Sequence, residues 1–424
     1  MACAAAALLA PATASASNER VNYRAAQDSP DFTFFNKGGL KLRGSCDSGA
    51  LSVIATTSVS NALIHYNSQG GGSGFASAFI NDFDAGGMNG NAPDILDDLN
   101  ASDSGIGQII YAKPGGVNVT IDWMSEDDGP FFGSDKNCVF TGHARKAPNH
   151  MEGRVNLRTN AGVGQDNIFF ERSGLRLVQA GAASCAASGT TEVSARTTVE
   201  DAMIGDFGQY TNSPDTLDAV AADHDPNFDP GLGDEMLLSD NGTMDRRSAG
   251  HLVYARSGGR NVTVDYAAEE GPPALFNGKN CVFVGSTRVA KPGSPNRVNF
   301  RPDTDQIAPV KFFQLGGLKL KASCSNSQLE VFAKTDYDNA VLHRSYQGPG
   351  TANDYAENDI FMEADEQLIV GSTAGFEAGG GGQIVYSRPG GVNVTVDWTA
   401  QDNDLPFAGD RLCAFVGTAE RNKP

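Results

Sequence analysis

Six of the seven cysteines form three pairs that recur at a regular spacing. The first cysteines of the pairs lie at 139-residue intervals, at Cys46, Cys185 and Cys324. Zinc sites use clustered spacings such as Cys-x-x-Cys, which do not occur here, so disulfides are favoured over zinc. Six cysteines allow 15 pairings, but the repetition favours closure within each copy. We expect the disulfides Cys46–Cys138, Cys185–Cys281 and Cys324–Cys413.

Acidic residues form the second group that could do chemistry. They cluster in Gly-rich segments near residues 70–105, 211–248 and 348–381. Carboxylates in such segments can coordinate a hard cation, although no EF-hand spacing is present and a solvated acidic loop has the same composition. A calcium site is therefore one interpretation, with these candidate ligands: Asp82, Asp84, Asp94, Asp225, Asp229, Asp234, Asp359 and Asp365.

The elements that hold these residues are three copies of one domain. Residues 107–123 read GQIIYAKPGGVNVTIDW, residues 250–266 read GHLVYARSGGRNVTVDY, and residues 382–398 read GQIVYSRPGGVNVTVDW. A second shared stretch runs from a Phe-Phe pair to the first cysteine of each copy: residues 34–46, 169–185 and 312–324. A repeat of this length is a whole domain and not a solenoid turn.

Each copy alternates apolar and polar residues with period two. Val119, Ile121 and Trp123 alternate with Thr120 and Asp122, and Gly-Gly turns separate such runs. Short alternating strands with frequent Gly turns predict an all-β fold: three tandem disulfide-stapled β-sandwiches, jelly-roll or Ig-like. In a regular strand, at least one ring of each Phe-Phe pair must face away from the core.

Four segments follow from these repeats. Residues 1–16 are Ala-rich and end in Ala-Ser-Ala, which resembles a secretory signal peptide, although Lys and Arg do not precede the apolar stretch. The copies occupy residues 17–150, 151–293 and 294–424. A basic tag of the form Arg-Val-Asn-x-Arg opens each copy, at residues 20–24, 154–158 and 297–301. Because the links are short and contain Gly and Pro, we expect three separate domains on a semi-rigid string.

Charge and hydropathy limit the partners. The formal net charge of -19 argues against nucleic acid, which requires a basic face. After the leader, the sequence contains no apolar stretch near the roughly 20 residues of a membrane span. Paired cysteines and the leader together predict a secreted, extracellular or cell-surface protein.

Recurrent polar residues have structural and functional interpretations. Asp122, Asp265 and Asp397 each precede an aromatic ring that we assign to the core, so the Asp is either exposed or paired with a basic side chain across the sheet. His65 and His343 are equivalent, Gly205 replaces them in the second copy, and a polar residue at a strand end is favoured over a catalytic one. The Asn-Val-Thr sequons at 118–120, 261–263 and 393–395 recur because the strand recurs.

No nucleophile elbow, metalloprotease motif or phosphate loop occurs, so we predict that the protein is not an enzyme. The leading hypothesis is an exported, non-catalytic, multivalent protein of adhesion or surface assembly. Its partner would be a glycan or protein surface ligand, or a second copy of itself. One alternative is a carbohydrate-binding or accessory protein for polysaccharide breakdown, with exposed rings stacking on sugars. Another is a hydrolase with sites in the acidic segments.

Overall fold

A computed structural model confirms the all-β prediction and the three similar sandwiches. It describes residues 17–70, 74–83, 94–96, 104–116, 118–127, 129, 131–132, 136–147, 153–159, 166–180, 192–211, 219–230, 236–239, 247–275, 279–325, 328–347, 355–362, 367–372, 379–391, 393–402 and 413–422. Within these residues, no helix has the length and apolar character needed to cross a membrane. The predicted signal peptide lies outside the described residues.

Within the described ranges, each copy contributes ten strands. The first copy contains β1 (Ser17–Ala25), β2 (Ser29–Lys37), β3 (Leu40–Asp47), β4 (Ala50–Thr57), β5 (Ala62–Gly70), β6 (Gly74–Phe83), β7 (Asp94–Leu96), β8 (Gly105–Ala112), β9 (Asn118–Glu126) and β10 (Cys138–Ala147). The second contains β11 (Arg154–Thr159), β12 (Asn167–Arg172), β13 (Leu175–Ala180), β14 (Glu192–Thr197), β15 (Ala202–Thr211), β16 (Ala219–Phe228), β17 (Met236–Ser239), β18 (Arg247–Arg256), β19 (Asn261–Leu275) and β20 (Lys279–Ala290). The third contains β21 (Arg297–Phe300), β22 (Gln306–Leu315), β23 (Leu318–Ser325), β24 (Gln328–Thr335), β25 (Ala340–Gln347), β26 (Tyr355–Met362), β27 (Gln367–Ser372), β28 (Gly380–Ser387), β29 (Asn393–Asp402) and β30 (Cys413–Arg421).

The ten strands of a copy form two antiparallel sheets. In the first copy a 6-stranded sheet has the order β1-β10-β9-β8-β5-β6, and a 4-stranded sheet has the order β2-β3-β4-β7. The other two copies repeat both orders. The sandwich core lies between the sheets and buries the predicted rings Trp123, Tyr266 and Trp398 completely.

Disulfides join the two layers of the first and third sandwiches. Cys46 in β3 bonds Cys138 at the start of β10, and Cys324 bonds Cys413 in the same way. Cys281 is also disulfide-bonded, and its predicted partner Cys185 lies outside the described residues. In the chain-entropy model, closing a loop of this length stabilises a domain by about 4–5 kcal/mol.

The Phe-Phe pairs do not alternate as a regular strand would. β2 has an irregular register between Thr33 and Phe35, and β12 and β22 have the same irregularity at the matching position. A bulge of this kind lets consecutive side chains face the same side. Phe35 is therefore buried and Phe34 packs against the same core, so the expectation that one ring faces away is wrong.

The three copies are packed together, which corrects the expectation of separate domains on a string. Apolar clusters cross every boundary between copies: Leu63, Ile110 and Ala112 with Ala249, Ala267, Val282 and Val284; Ile106, Met124, Phe131, Phe132 and Val139 with Val341 and Val385; and Met203 and Ala255 with Ala414 and Val416. Copies one and two, one and three, and two and three are each in contact. The chain therefore forms a closed ring of three sandwiches around an approximate threefold axis.

This packing predicts how a nicked chain behaves. A protease recognition sequence inserted between Pro292 and Gly293, in an exposed turn, should allow cleavage between the second and third copies. Because the buried contacts remain, the two fragments should co-elute at the full mass on a native sizing column and unfold in one transition. A denaturing gel verifies the cut, and fragments that separate on the native column would restore the domains-on-a-string arrangement.

Candidate functional site

Each 6-stranded sheet turns one face to its own sandwich core and the other to the axis of the ring. The three axis-facing sides meet at a buried cluster of charged and polar side chains. β9, β19 and β29 each place one Asp there, at the position before the core aromatic: Asp122, Asp265 and Asp397. All three aspartates have zero exposure. Strand alternation explains the placement, because the ring faces the sandwich core and the Asp faces the axis.

Two arginines from the neighbouring strands pair with these carboxylates within and between copies. Arg145 in β10 forms ion pairs with Asp122 of its own copy and with Asp265 of the second copy. Arg288 in β20 pairs with Asp265 at 2.9 Å and also contacts Asp397 of the third copy. The predicted basic partner across the sheet is therefore present, and it also joins neighbouring copies.

The third copy breaks the pattern, because Glu420 stands where the other copies have Arg145 and Arg288. Its carboxylate lies 3.4 Å from Arg145 Nη1 and 3.2 Å from Nδ1 of His143. Burial alone would raise the pKa of Glu420, but the hydrogen bond from His143 and the charge of Arg145 lower it to about 2. With Glu420, the cluster contains four carboxylates and two guanidinium groups, so its acidic groups outnumber its basic ones by two.

The ion pairs hold Asp122 and Arg145 in their charged forms. Burial would raise the pKa of Asp122, but the charges of Arg145 and Arg288 and hydrogen bonds from Arg145 and Gln108 lower it well below its ordinary value. The carboxylates around Arg145 raise its pKa in turn, against the effect of burial. Gln108 Nε2 donates to Asp122 and to Asp265 at 3.0 Å each, so a neutral amide adds a further bridge between copies.

The sequon asparagines join the copies at another level of the same interface. Asn118 Nδ2 donates to the carbonyls of Val155 and Gly285, at 3.2 and 3.0 Å. Asn261 makes the same bonds into the third copy and Asn393 makes them back into the first. The direction is one to two, two to three and three to one, which closes the ring. The Asn recurs because each copy uses it to bind the next.

The basic tags act at the same boundaries. Arg158 Nη1 donates to the carbonyl of Lys113 at 2.7 Å, and Arg301 donates to that of Arg256 at 2.9 Å. Arg24 closes the ring by donating to the carbonyl of Arg388 at 3.2 Å. Each accepting carbonyl belongs to the Gly-Gly hairpin turn of the preceding copy. The tags are therefore contacts between copies, a role that their position at the start of each domain did not reveal.

Two histidines lie within the buried interior and not at strand ends as expected. His65 has 1 % exposure in the middle of β5, and burial lowers its pKa to about 3. His343 is fully buried at the equivalent position of β25 and contacts the carboxylate of Glu126 from the first copy. His343 thus forms another buried polar contact between two copies.

Two of the candidate calcium ligands, Asp225 and Asp229, have side chains in the described part of the structure. Among the described residues, no group of three or more His, Cys, Asp or Glu side chains is arranged to hold a metal ion. Asp229 instead accepts a hydrogen bond from the backbone N–H of Asp201 at 2.6 Å, and Asp225 lies in β16. The backbones of Asp82, Asp94 and Asp359 lie in strands, whereas Asp84, Asp234 and Asp365 lie outside the described residues. Calcium in these segments stays a prediction.

No protein-family model matches the sequence, and none of the curated proteins matches it. The buried charged side chains described above pair with one another across the three copies. Their chemistry is therefore that of a buried ion-pair network that fixes how the copies meet.

The Asn contacts predict a stability loss. Asn393→Ala removes two hydrogen bonds between the third and first copies and leaves two buried carbonyls without this donor. We expect the free energy of unfolding to fall by about 1–3 kcal/mol. Urea unfolding measures the change, with the exposed Asn36→Ala as the matched control, which should stay within about 0.5 kcal/mol of the parent. An equal effect of both substitutions would contradict the assigned role.

The buried His65 predicts a pH dependence. Its pKa is about 3 in the folded chain and near 6.5 when unfolded, so the unfolded chain binds the extra proton as the pH falls below 6.5. The stability from a neutral His65 is therefore complete above pH 6.5. It declines below that value, approaching about 1.4 kcal/mol per pH unit. Urea unfolding between pH 6.5 and 5 should show a shallower decline for His65→Gln than for the parent, and equal slopes would refute the assignment.

Proposed function

We propose that the chain is an exported, non-catalytic adhesion protein that binds an anionic polysaccharide through the outer faces of its 4-stranded sheets. The fixed ring of copies supports this proposal. The repeated asparagines, aspartates and basic tags are committed to contacts between copies. The outer sheet faces are left as repeated surfaces that can meet a ligand on three sides.

The outer face of the third copy carries the observation on which the proposal depends. Lys319 and Lys321 in β23 alternate with the buried Leu318 and Leu320, so both lysines lie on the outer side. Lys319 is directly opposite Lys334 in β24, and Lys321 is directly opposite Lys311 in β22. Like charges directly opposite each other repel, so an anion that binds this face would relieve the repulsion within both pairs.

Acidic residues lie close to these lysines. Asp336 forms an ion pair with Lys319, and Glu330 lies further along the same face. Four lysines gathered on one sheet face are unusual on a chain with a formal charge of -19. Such a face would attract an anionic polymer while the rest of the surface repels it, which favours a defined binding orientation.

The other two copies repeat the central cation of this face. Lys41 and Arg176 occupy the register position of Lys319, and Arg176 is directly opposite Arg196. Both arginines of the second copy have acidic partners, since Arg176 pairs with Glu171 and Arg196 pairs with Asp166. We therefore assign the strongest binding to the third copy, with the other two adding avidity along a repetitive polymer.

The disulfides support the extracellular part of the proposal, because such bonds persist in oxidising compartments. An acidic polysaccharide of a cell surface or matrix also supplies what this geometry requires, namely carboxylate or sulfate groups repeated along a chain. A ligand with one charged group would engage a single face and gain nothing from the ring of three.

Binding to soluble polymers tests the proposal. Alginate carries carboxylates, dextran sulfate carries sulfates, and neutral dextran is the uncharged control. We expect binding to at least one anionic polymer, no binding to neutral dextran, and a steep loss of affinity with added salt. Isothermal titration calorimetry of the disulfide-bonded chain provides the measurement.

Matched variants locate the binding face. Lys311→Gln with Lys321→Gln should weaken binding at least about tenfold, which is about 1.4 kcal/mol. The control, Lys113→Gln with Lys291→Gln, removes the same charge from a hairpin and from the turn between copies. Equal weakening by both pairs would show a non-specific charge effect, and an absence of binding to both anionic polymers would refute the proposed ligand. Concentration-dependent oligomers without polymer binding would instead favour self-assembly.

A further inference from the structure

A small cavity lies where the three copies meet, beside the buried ion-pair cluster. Its volume is about 40 Å³, which is room for one ion with one or two waters. Equivalent positions of all three copies line it with Gln108, His251 and Gln383. Polar side chains of β5 and β25 also line it, namely Asn67, Ser345 and Gln347, and Ile106, Gly107 and Phe207 form the rest of the wall.

The two glutamines of this lining are oriented by the cluster beneath them. Gln108 Nε2 donates to Asp122 and Asp265, and Gln383 Nε2 donates to Asp397 at 3.0 Å. Both amide nitrogens are therefore turned towards carboxylates, which accept and cannot donate when ionised. The amide oxygens are the atoms left to face the cavity, so this part of the wall presents acceptors.

A third glutamine supports the same conclusion. Gln347 has 7 % exposure, and its buried Oε1 has no hydrogen-bond partner in the described structure. Gln347 is opposite Gly381, and the equivalent positions of the first and second copies are Gln69, opposite Ile106, and Gln209, opposite Ala249. A buried acceptor without a donor is costly, and a cation in the cavity would remove that cost.

His251 adds a neutral nitrogen to the wall. Burial lowers its pKa to about 4, so it is uncharged at neutral pH, and its buried Nε2 also has no hydrogen-bond partner in the described structure. A neutral imidazole adds no positive charge that would repel a cation. The cavity is therefore lined by uncharged groups.

The charge of the adjacent cluster selects the sign of the ligand. Among the described residues, Arg145 and Arg288 are the guanidinium groups that pair with Asp122, Asp265, Asp397 and Glu420, so four carboxylates outnumber two guanidinium groups beneath the cavity. A cation is attracted there and an anion is repelled.

The lining itself contains no carboxylate, whereas calcium sites use carboxylates among six to eight oxygens. Neutral oxygens are the ligands that potassium channels present to a monovalent cation.

We propose that this axial cavity binds one monovalent cation, Na⁺ or K⁺, through the amide oxygens of Gln108, Gln347 and Gln383, and that the ion helps to hold the three copies together. The site is independent of the sheet faces proposed to bind polysaccharide. Either proposal can therefore fail without the other.

Thermal unfolding of the intact disulfide-bonded chain tests the proposal in solution. Melting curves in NaCl, KCl and choline chloride at one ionic strength and pH separate a specific ion from general screening. We expect a higher and saturable Tm with Na⁺ or K⁺, because an ion at 100 times its Kd shifts the folding equilibrium about 100-fold. Equal Tm values in all three salts would overturn the proposal.

Two further measurements place the ion. Gln347→Leu should abolish the Na⁺ or K⁺ increment, whereas the exposed Gln328→Leu should retain it, and an unchanged increment in Gln347→Leu would exclude this cavity. Because that variant could fail to fold, crystals of the parent chain soaked in Tl⁺, a K⁺ substitute, give a second readout. An anomalous peak in the cavity supports the proposal. Its absence means that the cavity holds water only and refutes it.

Discussion

The structure depends on the burial of both faces of each 6-stranded sheet. An antiparallel sheet usually packs one face on a core and leaves the other to water, so alternation of apolar and polar residues is stable. Here the second face meets the other two copies, and β9 is buried along its whole length. Every polar group on that face then needs a partner, since an unpaired buried charge costs several kcal/mol. The pairing of Asp122, Arg145 and Asn118 follows from that requirement.

Local patterns predicted most of one sandwich and failed at the contacts between sandwiches. The period-two alternation of Val119, Ile121 and Trp123 predicted the strand and the core ring, and the repeat predicted the cysteine pairing. For Asp122 the sequence left two interpretations open, an exposed residue or a partner of a basic side chain across the sheet. It did not predict the contact between Arg145 and Asp265 of the neighbouring copy, because polarity in a strand carries no information about a partner 120 residues away. The bulge before Phe35 was equally hidden, since it depends on pairing with β3. The informative signal was the identity of the polar face in all three copies, at positions where a solvent-exposed face is free to drift.

The replacement at Glu420 shows how a triplicated chain acquires a fixed order. Three identical copies would place three Asp–Arg pairs around the axis and could pack equally well in either circular order. With Glu420 in the third copy, Arg145 serves Asp122 and Asp265, Arg288 serves Asp265 and Asp397, and His143 meets the extra carboxylate. Exchanging the first and second copies would leave two arginines and one Glu around the axis, but it would place Ser286, and not His143, opposite Glu420. The buried contact between His143 and Glu420 therefore distinguishes the two orders, even though its net contribution to stability can be small.

A rigid ring changes what multivalency means for this chain. Flexible linkers let each domain search for its own ligand, and the gain depends on linker length. Here the copies are locked by buried contacts, so the three outer sheets point away from one axis at fixed angles. Such an object cannot adapt to an arbitrary spacing of ligands, but it loses little conformational entropy when the spacing fits. In the polysaccharide binding proposed above, the lysines of the third copy would engage first, and the fixed frame would then determine where the other two copies can reach. A long polymer that carries many equivalent groups satisfies this geometry in many registers, whereas a compact partner must match it in one.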